Sequence, residues 1–302
     1  MRGASAIGTL TCTAAAQHDL AALNATSTLP YPAARSSDLL RRSAILWLIV
    51  MLIGQWAFGT YIVAFYGTSL VTGDFESWNR LAALGARPFK AGDDSGNAAF
   101  LAHARGAGWI AFAGALQLVP AIRARFPRFH RWNGRIFLAM VTALSLSGFY
   151  LVWVRGTSPS AMDGIATSIN GVLILGFAAL AYRAVRGGDL AAHRRWAMRL
   201  YLVANAQWFL RIGFFAFFIL ASVTGLPPEV RKAFFLFWKF GCFLVPLALL
   251  QVYFHAYARP RGPVRTTTAV VLLAACAVMA LGIVAFGGLS YKIVTGAPLS
   301  LG

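Results

Sequence analysis

Carboxylates are scarce in this chain. Nine Asp and Glu stand against 27 Lys and Arg among 302 residues, and none of the nine falls inside the long apolar runs that occupy most of the sequence. That scarcity excludes the intramembrane carboxylate relay of proton-coupled transporters and the paired acids of hydrolytic chemistry. Cysteine is nearly absent too. Cys12, Cys242 and Cys276 have no metal-ligand spacing, and two of them sit within apolar runs, where Cys behaves as a small hydrophobe. Neither a disulfide framework nor a metal site is expected. The "LTC" at Cys12 lacks the preceding apolar stretch of a lipoprotein signal. The last apolar run has no internal Lys, which excludes a retinal Schiff base.

Apolar surface is what the chain has in abundance. Apolar residues make up 59% of it and charged residues 12%, with a mean hydropathy of +0.66, well above a soluble domain of this length. The net charge of +18 would suit a nucleic-acid partner if the basic residues formed one domain. They lie instead between the apolar runs, so no nucleic acid is expected and the charges report membrane topology.

Residues 1–37 are rich in Ala, Ser and Thr, lack the apolar core of a signal peptide and are expected to form a mobile N-terminal tail. From residue 38 onward, windows of about 20 apolar residues recur, each long enough to cross about 30 Å of hydrocarbon. Seven are expected, at about residues 44–65, 98–122, 136–154, 164–184, 200–221, 233–257 and 267–288. The fold class is therefore an all-α, multi-pass membrane bundle of about seven helices.

The connections alternate in charge. Residues 123–135 hold five Arg and no acid, residues 183–199 five Arg with Asp189, and residues 259–265 three Arg. Those between them are balanced: 67–97, 155–163 and 222–232 all mix acids with bases. The positive-inside rule then predicts a cytoplasmic N-terminus and an outward C-terminus in a bacterial inner membrane. The long connection 67–97 is expected to form a small lid over the outer face.

Polar side chains inside a bilayer are costly, so each one is a functional candidate. His103, Asn170, Gln207, Arg211 and Lys239 fall in the outer half of four spans, and Gln207 lies one helical turn before Arg211. Cations gathered there with no counter-ion would repel one another, which predicts an outward-opening pocket for a carboxylate, a phosphate or a lipid headgroup. The bland alternative has Arg211 and Lys239 snorkelling or bonding to carbonyls freed by bends such as the one at Pro246.

At the cytoplasmic side, "FHRWNGR" (129–135) is echoed by "AHRRWAMR" (192–199). In each, a Trp precedes an Arg by three residues. Asn133 and Asp189 read as helix caps, which would leave Arg135 and Arg199 near helix N-termini, the wrong sign for the dipole. An anion would resolve that conflict, so His130, Trp132, Arg135, His193, Trp196 and Arg199 are candidate contacts for an anion or anionic lipid. Positive-inside bias and an aromatic belt explain the same residues without a ligand. Haem b is the alternative cofactor, held by two of His130, His193 and His255, since His103 lies at the opposite side with no His partner.

The runs "HARGAGWIAFAGALQLVPAIRARFPRFHRWNGRIFL" (103–138) and "GDLAAHRRWAMRLYLVANAQWFLR" (188–211) resemble a bacterial predicted-membrane-protein family, domain of unknown function 2306, over about residues 98–215. The positions that match its motifs are His103, His130, Trp132, Arg135, His193, Trp196, Arg199 and Arg211. The resemblance implies a multi-pass bacterial membrane protein and no particular reaction. The leading expectation is a module that binds or handles an anionic or lipid-like small molecule, as transporter or sensor. A haem- or quinone-linked oxidoreductase subunit is the alternative, and a structural subunit without ligand the third.

Overall fold

A computed structural model describes residues 39–84, 87–259 and 262–295; the N-terminal tail read at 1–37 lies outside the described residues. Every regular element among the described residues is helical. In chain order these are α1 (Leu39–Thr72), a short 3₁₀ helix (Glu76–Leu84), α2 (Asp94–Leu118), α3 (Pro120–Arg125), α4 (Pro127–Phe149) with a π-helical extension (Tyr150–Val154), α5 (Ala161–Arg186), α6 (Leu190–Ala204), α7 (Ala206–Thr224), α8 (Pro228–Tyr257) and α9 (Pro263–Thr295).

Six of them, counting α4 with its extension, are long and apolar enough to cross a membrane: α1, α4, α5, α7, α8 and α9. The expected seven is close. The second expected span is α2, which has the length at 25 residues, but His103, Arg105, Gln117 and its glycines dilute its apolar content.

Local chemistry sets the helix ends. The side chain of Ser160 accepts from Asp163 N at the start of α5, and that of Asp189 accepts from Ala192 N at the start of α6, each supplying an orphan N–H of a first turn. Proline opens α4, α8 and α9, where its missing N–H costs nothing. Gly225 (φ +63°) closes α7 in a left-handed conformation that few other residues adopt.

Two expected boundaries differ. The third span does not begin near residue 136 with Asn133 as its cap; α4 starts at Pro127, and Asn133 lies inside it, buried, with Nδ2 donating to Ala113 O of α2 at 2.9 Å. Proline preorganises the earlier start, which frees the Asn amide to tie two helices together. The fifth span is two helices meeting at Asn205 (φ −103°, ψ 14°). Asn205 N turns back to Leu202 O at 3.2 Å, and its Nδ2 donates to Tyr201 O at 2.8 Å.

Helix α9 packs along α1 and α7, α1 against α2, α2 against α4, α4 against α5 and α5 against α6, while α8 touches α5, α6, α7 and α9. The α6–α7 pair carries the most completely buried run, with Leu200–Val203, Ala206, Trp208, Phe209 and Ile212 all 5% exposed or less. Hydrocarbon solvates apolar side chains as well as the core does, so close fit holds these helices together. A Cβ at Gly54 would stand 2.5 Å from Trp208 Cζ2, and one at Gly282 would strike the Ile212 carbonyl oxygen.

The connection expected to be a lid is a folded cap on one end of the bundle. Its Trp78 is 4% exposed and meets Tyr66, Phe75 and Phe100 at centroid distances of 5.5, 5.4 and 5.8 Å. Asn79 exchanges two hydrogen bonds with the Phe89 backbone, at 3.0 and 3.1 Å, and the Arg80 guanidinium donates to Ile293 O of α9. Arg155, just beyond the π-helical turns, clasps the cap. Its Nε donates to Asp93 Oδ2 at 2.8 Å and its Nη1 to Pro88 O at 2.7 Å. Nη2 donates to Asn97 Oδ1, and Lys90 Nζ donates to the Arg155 carbonyl.

Candidate functional site

A narrow cleft with about 20 Å³ of free space lies between α5, α7 and α8. Asp163, Thr167 and Asn170 line it from α5, Ala206, Gln207 and Leu210 from α7, and Lys239, Cys242 and Phe243 from α8. Its charged edge is an ion pair: Lys239 Nζ lies 2.8 Å from Asp163 Oδ2, with the two side chains 21% and 26% exposed. Ser160 Oγ sits 3.4 Å from the same ammonium. Lys239 therefore has a counter-ion, one that the sequence placed in a loop.

Asn170 forms the deeper wall. It is 7% exposed, and its Nδ2 donates to Val203 O at 3.1 Å, which fixes the amide's orientation. Its Oδ1 is buried with no hydrogen-bond partner. The helix break at Asn205 explains the arrangement: two carbonyls of the last turn of α6, Tyr201 and Val203, accept from side-chain amides, and one of those amides belongs to the cleft.

The structure brings Asn170, Gln207 and Lys239 together and separates the other two members of the expected pocket. Arg211 does not line the cleft. It stands one turn beyond Gln207, its Nη1 donating to Gln207 O at 2.8 Å and approaching Gln207 Oε1 at 3.4 Å, and its guanidinium lies over the Phe58 ring of α1 at 5.1 Å. His103 is elsewhere, between α2 and α4, with Nδ1 2.8 Å from Ser147 Oγ.

At the arginine-rich end the two echoed stretches lie inside helices. Arg135 is stacked on Trp132 at 5.0 Å. Arg199 is held between Trp196 at 4.8 Å and Phe254 at 5.3 Å, with Nη2 donating to Gln251 Oε1 at 2.7 Å. Both arginines sit beyond the first turn, where the helix dipole has faded, and aromatic faces meet each cation. His193 Nδ1 lies 2.9 Å from Ala181 O; His130 has a buried Nδ1 with no partner; His255 is exposed in the last turn of α8.

Residues 100–254, more than half of the chain, match the family described as Predicted membrane protein (DUF2306). The chain belongs to this family. No curated protein and no solved structure matches it. The DUF2306 region runs further than the stretch expected from the motifs, from within α2 to within α8, and contains every residue that lines the cleft. Helix α1, the cap and α9 lie outside it.

Sequence reasoning missed Asp163, Arg155 and Gln55. The Ser160-x-x-Asp163 spacing is a helix-start signature that could have moved Asp163 from the loop into the helix. Gln55, a lone amide in the first apolar run, was visible as an intramembrane polar group.

Proposed function

We propose that this DUF2306 protein works in a bacterial inner membrane, arginine-rich end inward, and that its cleft binds the polar end of a lipid-like small molecule as part of a transporter or sensor-like module. The observation that carries this reading is Asn170 Oδ1, an unpartnered acceptor beside the Lys239–Asp163 pair. A buried carbonyl without a donor costs on the order of 1–3 kcal/mol, which an incoming hydroxyl or amine would recover. Lys239 offers a donor and Asp163 an acceptor, so the cleft suits a headgroup that both donates and accepts. With about 20 Å³ of free space, room for about one water-sized group, it suits a single polar group of a ligand and not a whole lipid. The helices that line it also carry exposed apolar side chains, Ile169 of α5 at 44% and Phe237 of α8 at 56%, against which an acyl chain can lie. Interrupted helices beside binding sites are also a transporter device, and α6–α7 is interrupted here.

Thermal unfolding of the full-length protein in a neutral detergent tests the reading, with 1-oleoylglycerol as an uncharged, hydroxyl-bearing probe. A rise in Tm that Asn170→Leu abolishes and Lys239→Met reduces is expected, because a ligand that binds only the folded state stabilises it. If wild type and Asn170→Leu respond alike, the cleft is not the site.

A further inference from the structure

We infer that the molecule held in the cleft is an acidic amphiphile and that Arg211 is the counter-ion of its oxyanion. The inference rests on the cleft reading above and adds the charge of the ligand.

Lys239 of α8 and Arg211 of α7 are treated differently. Lys239 has Asp163 at 2.8 Å. Arg211 has no carboxylate within ion-pair distance among the described residues, and its two hydrogen bonds both go to Gln207, a residue of its own helix. Only Nη1 makes them, so Nε and Nη2 of a group with five N–H donors are unengaged. The side chain is only partly buried, and the far end of its own helix is distant. From Arg211 to the end of α7 at Thr224 is 13 residues, about 20 Å of helix, well beyond the reach of a snorkelling arginine. An unpaired guanidinium at that depth is costly, and the phenols of Tyr61 and Tyr66 lie within its electrostatic range.

The surroundings are rich in unused donors. Gln55 of α1 is 0% exposed, and neither atom of its amide has a partner. It stands one turn before Phe58, the ring under Arg211, while its neighbour Gly54 packs on Trp208, one turn before Arg211. Amide and indole thus share a level one helical turn from the guanidinium. The Trp208 indole N–H, buried at that level, also lacks an acceptor. Buried polar groups in native proteins are nearly always paired. The unengaged N–H groups of the guanidinium, the Gln55 amide and the Trp208 indole point to an oxyanion, which takes charge-assisted hydrogen bonds from such donors. Gln207 joins the two halves of the site, since it lines the cleft and holds Arg211 in place.

A carboxylate of a fatty acid, a phosphate of a lipid headgroup and free phosphate share this chemistry, and separate arms tell them apart. The full-length protein in neutral detergent is unfolded thermally with oleate, with oleoyl-lysophosphatidylglycerol, with inorganic phosphate and with the uncharged 1-oleoylglycerol. The expected result is a larger Tm rise with oleate or the lysolipid than with 1-oleoylglycerol and little rise with phosphate. Arg211→Gln should remove that acid advantage while the 1-oleoylglycerol rise persists, and Arg211→Lys should restore part of it. Gln55→Leu, which leaves the charge in place, should diminish it. In the absence of added amphiphile, Arg211→Gln should melt no lower than wild type. An acid advantage that survives Arg211→Gln, or a phosphate rise as large as that of oleate, overturns the inference. Loss of the 1-oleoylglycerol rise in wild type overturns the cleft reading instead.

Discussion

Lys239 and Asp163 are 76 positions apart in sequence and 2.8 Å apart in space. One is on α8, the other in the first turn of α5, and their ion pair forms the charged edge of the cleft. It turns a site expected to be purely cationic into one with both signs of charge, and it leaves Arg211 without an acidic partner among the described residues.

That pair should behave as a coupled unit. Asp163→Asn leaves Lys239 without its counter-ion, and Lys239→Met leaves the carboxylate alone; each is expected to cost about 1–3 kcal/mol, between the values for exposed and buried pairs. The double variant should recover most of the loss. A double-mutant cycle on unfolding free energies reads the coupling, and strict additivity would show that the two groups do not stabilise each other.

The Arg155 clasp should govern the cap. With its side chain 2% exposed, Arg155→Gln removes the bonds to Asp93, Pro88 and Asn97, and a loss of cap stability is expected. Hydrogen exchange over residues 76–97 should rise before the rest of the bundle loosens. Uniform destabilisation with an unchanged cap would argue against the clasp.

The same clasp should be sensitive to acid. The Arg155 guanidinium, followed by the Gly96 N–H, holds the Asp93 carboxyl below its ordinary value of 3.8. A depressed carboxylate contributes stability that is fully present above 3.8 and is lost as the pH falls through its lower, folded value. Cap protection should therefore persist at pH 5 and decline below about pH 4, whereas in Asp93→Asn this decline should be absent. Proteolysis of the cap across that range is the measurement.

Asn133 offers a separate check on the start of α4. As a helix cap it would tolerate Asp well. As a donor to Ala113 O it does not, because a carboxylate places an acceptor and a charge against a carbonyl. Asn133→Asp should be more destabilising than Asn133→Ala, which is expected to cost about 1–3 kcal/mol. The reverse order would restore the cap.

Two glycines on α9 should respond in opposite ways. At Gly282 a Cβ meets the backbone of α7 at Ile212, and at Gly287 it meets nothing within 4 Å. Gly282→Ala is expected to lose about 1–3 kcal/mol through overpacking, and Gly287→Ala to be neutral or to gain about 0.5–1 kcal/mol. Parallel melting curves of the two variants decide the matter.

The positions of the apolar runs were enough to place the seven longest helical stretches, because hydrocarbon thickness demands a length of apolar chain that a one-dimensional pattern records directly. The Asp189 cap was legible for a similar reason: a cap and its N–H are three residues apart. The start of α4 was misread because Pro127 outweighs Asn133 as a helix opener, a competition between two local signals. The break at Asn205 was hidden because Asn inside an apolar run is compatible with an unbroken helix until its amide finds the Tyr201 carbonyl.

By itself, the sequence determined that this chain is a bundle of membrane-crossing helices with one arginine-rich end and one mixed end, since burial of apolar surface and the cost of charge in hydrocarbon act on every residue in turn. Which polar groups face each other was decided only by the tertiary structure. The partners of Lys239, Arg155, Asn170 and Asn133 lie on other elements, 76, 62, 33 and 20 positions away, and a helix rotated by one residue would bring each of them a different neighbour. The packing of small residues against Trp208 and Ile212 sets those rotations, and through them it gives Lys239 a counter-ion and leaves Arg211 without one.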